Sequence, residues 1–180
     1  MPTSAEHSLR DGEAVRLDVV AYDDPVAQEL VGQVQQEYVV RYGGPDAAVV
    51  ESGEFAPPEG LFLVARVGGL PVACGGWRVI EPGVVEVKRV YVVAEHRRRG
   101  LAQLVMGALE ATARRAGHGR MVLNTGPEQP EALGLYAALG YRPVSGFGVY
   151  ACVADAVFLG KELGSAQEPT DDDEERSWAS

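Results

Sequence analysis

The sequence predicts an α/β fold of the α+β type: a mixed, mostly antiparallel sheet of about six or seven strands with about three or four helices. Three observations predict it. Gly68-Gly69 and Pro82-Gly83 separate three successive apolar runs, the pattern of antiparallel strands joined by tight turns. Stripes of helical period stand between the strand-like runs instead of being gathered at one end, which mixes helices into the sheet. The 180 residues with 46% apolar content suffice for one buried core, so a single domain is expected.

Taken in order, residues 15 to 22 alternate partly and read as a first strand, after a polar segment, 1–14, expected to be disordered. Asp24-Pro25 supplies an N-cap and a first helical position. Leu30, Val34, Tyr38 and Tyr42 then recur every four residues until Gly43-Gly44-Pro45 stops the helix. Residues 46 to 59 lack a period and read as a loop. Strands follow at 61–67, 70–80 and 84–93. Leu101, Leu104, Val105, Ala108 and Leu109 then mark a helix that closes with Arg114, Arg115 and Gly117. A short strand at 120–124, a helix at 128–139 stopped by Gly140, and strands at 141–150 and 154–161 complete the ordered part, a domain of residues 15–163.

The formal charge of −10 is concentrated at the end of the chain. Residues 164–180 carry six acidic residues against Arg176 and read as an acidic, disordered tail. A chain with no basic stripe is a poor nucleic-acid binder. No run approaches the roughly 20 apolar residues that span a bilayer, so no membrane partner and a cytoplasmic location are expected. Cys74 and Cys152 lack CxxC spacing and read as buried free thiols, and the three scattered histidines give no metal pair, so no metal is expected.

Arg97-Arg98-Arg99-Gly100-Leu101-Ala102 lies between a strand and a helix. There, unsatisfied N–H groups, the helix dipole and the arginines can converge on a phosphate. The same cluster also fits a solvated surface turn. It contains neither Gly-Lys-Ser/Thr nor a three-glycine dinucleotide fingerprint.

Together with Glu86-Val87-Lys88-Arg89-Val90-Tyr91-Val92, Gln129 to Tyr136 and Leu139-Gly140-Tyr141, this loop resembles the GNAT superfamily of N-acetyltransferases. Arg97, Gly100 and Ala102 match its Arg/Gln-x-x-Gly-x-Gly/Ala signature. The resemblance covers about residues 15 to 163. It implies a sheet splayed between strands 84–93 and 120–124, with acetyl-CoA as co-substrate lying there like an added strand. Backbone near Val90, Tyr91 and Val92 would meet the pantetheine arm, and Arg97, Arg98, Arg99, Gly100, Leu101 and Ala102 the pyrophosphate. Gln129 stands where many members carry Asn, and Ala102 where many carry Gly.

Acetyl transfer requires a neutral amine, although an alkylammonium has a pKa of about 10. Glu86 is the candidate base, and it equally fits a strand carboxylate paired with Lys88, since alternation puts both on one face. Family members use a tyrosine at the position of Tyr136 to protonate the leaving thiolate. Tyr136 also fits an aromatic core residue on the face of Leu133 and Leu139. Glu37, Tyr38 and Arg41 are candidate acceptor contacts, although Glu37 and Arg41 equally fit an i, i+4 surface pair. The resemblance places the acceptor pocket at about residues 35–46, 55–60 and 147–152, and the expected acceptor is a primary amine of a small molecule, amino-acid-like, polyamine-like or an amine antibiotic, attacking directly in a ternary complex. A peptide acceptor, a non-catalytic acyl-CoA-binding module and a homodimer remain open alternatives.

Overall fold

The computed structural model describes residues 4–164, so the acidic tail lies outside the described residues. Its elements run β1 (Ser4–Ser8), β2 (Ala14–Val20), α1 (Pro25–Tyr42), β3 (Gly60–Val67), β4 (Leu70–Glu81), β5 (Val84–Val92), α2 (Leu101–Arg115), β6 (Arg120–Thr125), α3 (Pro130–Ala138), β7 (Arg142–Pro143) and β8 (Val157–Glu162). The eight strands form one sheet in the order β1-β2-β3-β4-β5-β6-β8-β7. Every pairing is antiparallel except β5 with β6.

The parallel pair matters most. It holds register only from Val84–Arg120 to Glu86–Val122, although both strands run on. Beyond Glu86 the two strands part, leaving backbone groups on their facing edges without a ladder partner. Just past that point β5 is irregular. Cys74 pairs with Tyr91 and Gly76 with Lys88, so Arg89 and Val90 together oppose Gly75. Arg89 takes the left-handed conformation, φ 60°, as one residue of a bulge can.

Each face of the sheet is covered. Over one lies α2, burying Leu101, Val105, Met106, Leu109 and Ala113. A Cβ on Gly75 would come within 3.1–3.2 Å of Val105, Leu109 and Val90, so a side chain there would lift α2 from the sheet. Over the other face lies α1, burying Ala27, Leu30, Val31 and Val34 against Phe55, Phe62, Val64, Cys74 and Tyr91. Its start is fixed as the sequence predicts: Asp24 Oδ1 accepts from Val26 N–H at 2.8 Å, and Gly43, φ 78°, caps its end.

Several expectations need correction. The segment 1–14 is not disordered throughout, because Ser4–Ser8 pairs along its length with Ala14–Asp18. All five of its residues are exposed, so backbone pairing alone forms a strand that has no apolar signal. The strand expected at 141–150 shrinks to Arg142–Pro143 and a 3-10 turn at Gly148–Tyr150. Gly148 there has φ 62°, which extended strand does not accommodate. Cys74 is buried but Cys152 is exposed. Tyr42, expected in the buried stripe of α1, is 42% exposed.

Leu109 is fully buried between α2 and the sheet. Leu109→Ala should lower unfolding stability by about 2–5 kcal/mol, read as a lower denaturant midpoint at unchanged slope.

Candidate active site

The parting of β5 and β6 opens a cavity of about 530 Å³. One wall is β5 from Val87 to Val90; the other is Leu123 to Gln129, with Ala132 and Tyr136 of α3. Tyr38 and Tyr42 of α1, Asp46, and Tyr150 with Val153 complete its lining. Of the sequence candidates, the structure brings Tyr38, Val90, Gln129 and Tyr136 into this cavity.

Tyr136 is nearly buried, packs edge-on against Tyr141 at 5.8 Å, and its hydroxyl has no hydrogen-bond partner among the described residues. Burial pushes its phenol up to about 12, so it holds its proton at any physiological pH. Gln129, just before α3, accepts from Thr125 Oγ1 at 3.2 Å. Burial likewise raises the Tyr38 phenol.

Arg97 to Ala102 lie outside the cavity, at the N-terminus of α2. Gly100, φ 92°, is the residue before that helix and gives it no side-chain cap. The first helical bond is Leu104 N–H to Gly100 O, so the N–H groups of Leu101, Ala102 and Gln103 have no helical acceptor. Arg98, φ 62°, is also left-handed, and successive turns of this kind gather N–H groups into an anion-binding concavity. Arg97 Nε donates to Val92 O at 2.9 Å, and its guanidinium lies 5.7 Å from the Tyr91 ring centre. The loop is thereby fastened to the end of β5. Arg99 pairs with Asp11 and Glu13, and Arg10 donates to Gln103 at 3.1 Å, so the turn after β1 braces the same loop.

Three candidates sit elsewhere than expected. Glu86 does not line the cavity. It is buried in ion pairs with Arg78, 3.0 Å, and Lys88, 3.6 Å. Glu37 pairs with Arg97, and Arg41 donates to Glu128 O at 2.6 Å and pairs with Glu131. The helical i, i+4 pair therefore does not form, and the two residues hold the arginine turn before α2 and the start of α3 against α1.

Asp46 and Tyr150 fall in the segments where the resemblance put the acceptor pocket, but the ion-pair cluster they form with Lys88 and Arg89 was not foreseen. Asp46 accepts from Lys88 Nζ at 3.2 Å, from Arg89 Nη1, from the Tyr150 hydroxyl at 2.6 Å and from Ala48 N–H at 2.9 Å. Burial pushes the Asp46 carboxyl up, but Lys88, Tyr150, Ala48 and Arg89 together outweigh it and hold the carboxyl at about 2. Lys88 and Arg89 reach one carboxylate because the bulge places neighbouring residues on one face, contrary to strand alternation. Only the proximity of Lys88 to Glu86 was visible in the sequence.

A profile of the acetyltransferase (GNAT) family matches residues 19–141. The chain is 32% identical to an IAA acetyltransferase of Azospirillum brasilense over 151 residues, 80% of this chain and 97% of that protein. Among solved structures, the GNAT domain of S. lividans PAT superposes with a TM-score of 0.70 at 22% identity, covering 88% of this chain and 96% of the other. A GNAT acetyltransferase from Elizabethkingia anophelis with acetyl-CoA bound superposes with a TM-score of 0.61 at 14% identity, covering 82% and 97%. At these identities the two structures speak for the fold.

Because the Asp46 carboxyl lies below its ordinary 3.8, its ionised form stabilises the fold above about pH 4, and that contribution is lost as pH falls from about 4 to 2. Asp46→Asn should melt earlier at neutral pH and lose less additional stability across that window than the parent, in thermal melts taken between pH 6 and 2.

Proposed function

Since the chain belongs to the GNAT family of acetyl-CoA-dependent N-acetyltransferases, we propose that it moves the acetyl group to a primary amine of a small molecule, by direct attack in a ternary complex. The observation that carries this reading is the cavity between the parted ends of β5 and β6. It presents unpaired strand edge along one wall and the unpartnered, protonated Tyr136 hydroxyl on another.

Acetyl-CoA enters as an added strand, its pantetheine amides meeting the β5 backbone near Val90 and Val92. Its pyrophosphate sits on the N–H groups of Leu101, Ala102 and Gln103, with Arg97, Arg98 and Arg99 around it. Gln129 borders the arm from the α3 side. A backbone N–H of the bulge, near Val90 or Tyr91, stabilises the oxyanion formed on attack.

The amine nitrogen bonds to the thioester carbonyl carbon, the carbon–sulfur bond breaks, and Tyr136 gives its proton to the departing sulfur. Glu86, pinned behind the cavity by Arg78 and Lys88, is not assigned the base; water at the cavity mouth takes the ammonium proton. The cysteines favour direct transfer over an acyl-enzyme. Burial pushes the Cys74 thiol up to about 12, and neither cysteine lines the cavity.

Tyr136→Phe removes the hydroxyl and keeps the ring. It should lower kcat for acetyl-CoA-dependent thiol release by about 10²–10⁴ with little change in KM for acetyl-CoA. An unchanged kcat would remove Tyr136 from the proton path. A thermal midpoint that does not rise with acetyl-CoA would remove the acetyltransferase reading itself.

A further inference from the structure

The acceptor end of the cavity holds two buried cations side by side. Arg89 is 5% exposed and Lys88 6%, and both line the cavity with Asp46. Asp46 is the carboxylate that both share, Lys88 and Arg89 Nη1 each donating to the same Oδ2. Its other oxygen is taken by the Tyr150 hydroxyl and Ala48 N–H. Arg89 Nε is buried with no hydrogen-bond partner among the described residues, and the Tyr22 hydroxyl is the other neighbour of that guanidinium.

A guanidinium has five N–H donors and an ammonium three, so this pair offers more donors than the surrounding acceptors use. Glu86 adds a weak contact to Lys88, 3.6 Å, but is engaged more closely by Arg78 at 3.0 Å. The remaining acids of the cavity, Glu128 and Asp155, are exposed at its mouth. The arrangement has opposite polarity at its two ends, with spare cationic donors inside and carboxylates outside. The backbone holds Arg89 there in a left-handed conformation, one that a non-glycine residue adopts only when its surroundings enforce it.

We propose that the acceptor is an amine bearing a carboxylate, an amino-acid-like molecule whose carboxylate is received by Arg89 and Lys88 while its amine faces the thioester beside Val90 and Tyr136. The assignment rests on the acetyltransferase reading above and narrows its substrate class. A buried cation pair binds a carboxylate through charge-assisted hydrogen bonds and gives nothing comparable to a neutral amide or a bare amine. A peptide N-terminus, whose nearest carbonyl is an amide, would leave those donors unused.

The test is the rate of thiol release from acetyl-CoA with a panel of L-amino acids, each beside its primary amide and its decarboxylated amine. At least one acid should exceed both partners in kcat/KM by about tenfold or more, the scale of one hydrogen bond to a charged group. The amide's amine is the less basic and so more readily neutral at a given pH, which biases the comparison against this result.

Arg89→Met should bring the ratio close to one by raising KM for the acid while KM for acetyl-CoA is unchanged. Arg89→Lys, which keeps a cation for Asp46, should lower the ratio in the same direction if the methionine variant does not fold. Amides or decarboxylated amines used as well as the acids, or a preference that survives both variants, would overturn the proposal. So would calorimetric titration of the acids into protein saturated with CoA that shows no binding. Failure of acetyl-CoA to raise the melting point of the parent protein overturns the acetyltransferase reading separately.

Discussion

Between Lys88 and Tyr91 the fifth strand carries two residues, Arg89 and Val90, against the single Gly75 of its neighbour. The site depends on that extra residue. A bulge bends and twists its strand, and here it lies just beyond the last parallel pair, Glu86 with Val122. The strand edge is turned out of the sheet where β5 and β6 part. The same residue shifts the alternation of side chains: Val85 and Val87 join the core beneath α2, as do Val90 and Val92, whereas Tyr91 joins the core beneath α1. Lys88 and Arg89 are left together on the α1 side, where Asp46 meets both.

Packing holds this irregularity in place. Gly75 and Gly76 let the sheet approach α2 on one face and Phe55 and Phe62 on the other; a Cβ on Gly76 would lie within 2.5–2.7 Å of those rings. Ion pairs between distant segments then lock the surrounding loops: Glu37 with Arg97, Arg41 with Glu131, Arg99 with Asp11 and Glu13. Most of these are partly exposed, so each contributes little alone. Their effect is positional, holding the start of α2 against the end of β5 before any ligand arrives.

How much of this was legible follows from the range of each interaction. The hairpins at Gly68-Gly69 and Pro82-Gly83, and the helix beginning after Gly100, depend on neighbours in sequence and could be read directly. The turn that leads into α2 could be read because the arginines, Gly100 and the apolar stripe beginning at Leu101 are contiguous. The contact between Asp46 and Tyr150 could not be read from the residues themselves, since they are separated by 104 positions and sit in segments without a period; only the family resemblance brought those segments to one pocket. Strand alternation predicts opposite faces for Lys88 and Arg89, and a one-residue slip reverses that without a trace in composition. The Glu37–Arg41 spacing was equally misleading, because Glu37 pairs with Arg97 and Arg41 with Glu131 instead. Strand β1 is held by backbone bonds among exposed side chains, which no hydrophobic pattern reports.

On the proposed function, the parted edge of β5 and the open end of α2 together receive acetyl-CoA. Amide hydrogen exchange of the unmodified protein, with and without acetyl-CoA, tests it most directly. Slowed exchange at Val90 to Val92 and at Leu101 to Gln103 is the predicted result. Unchanged exchange at both segments in saturating acetyl-CoA would contradict it.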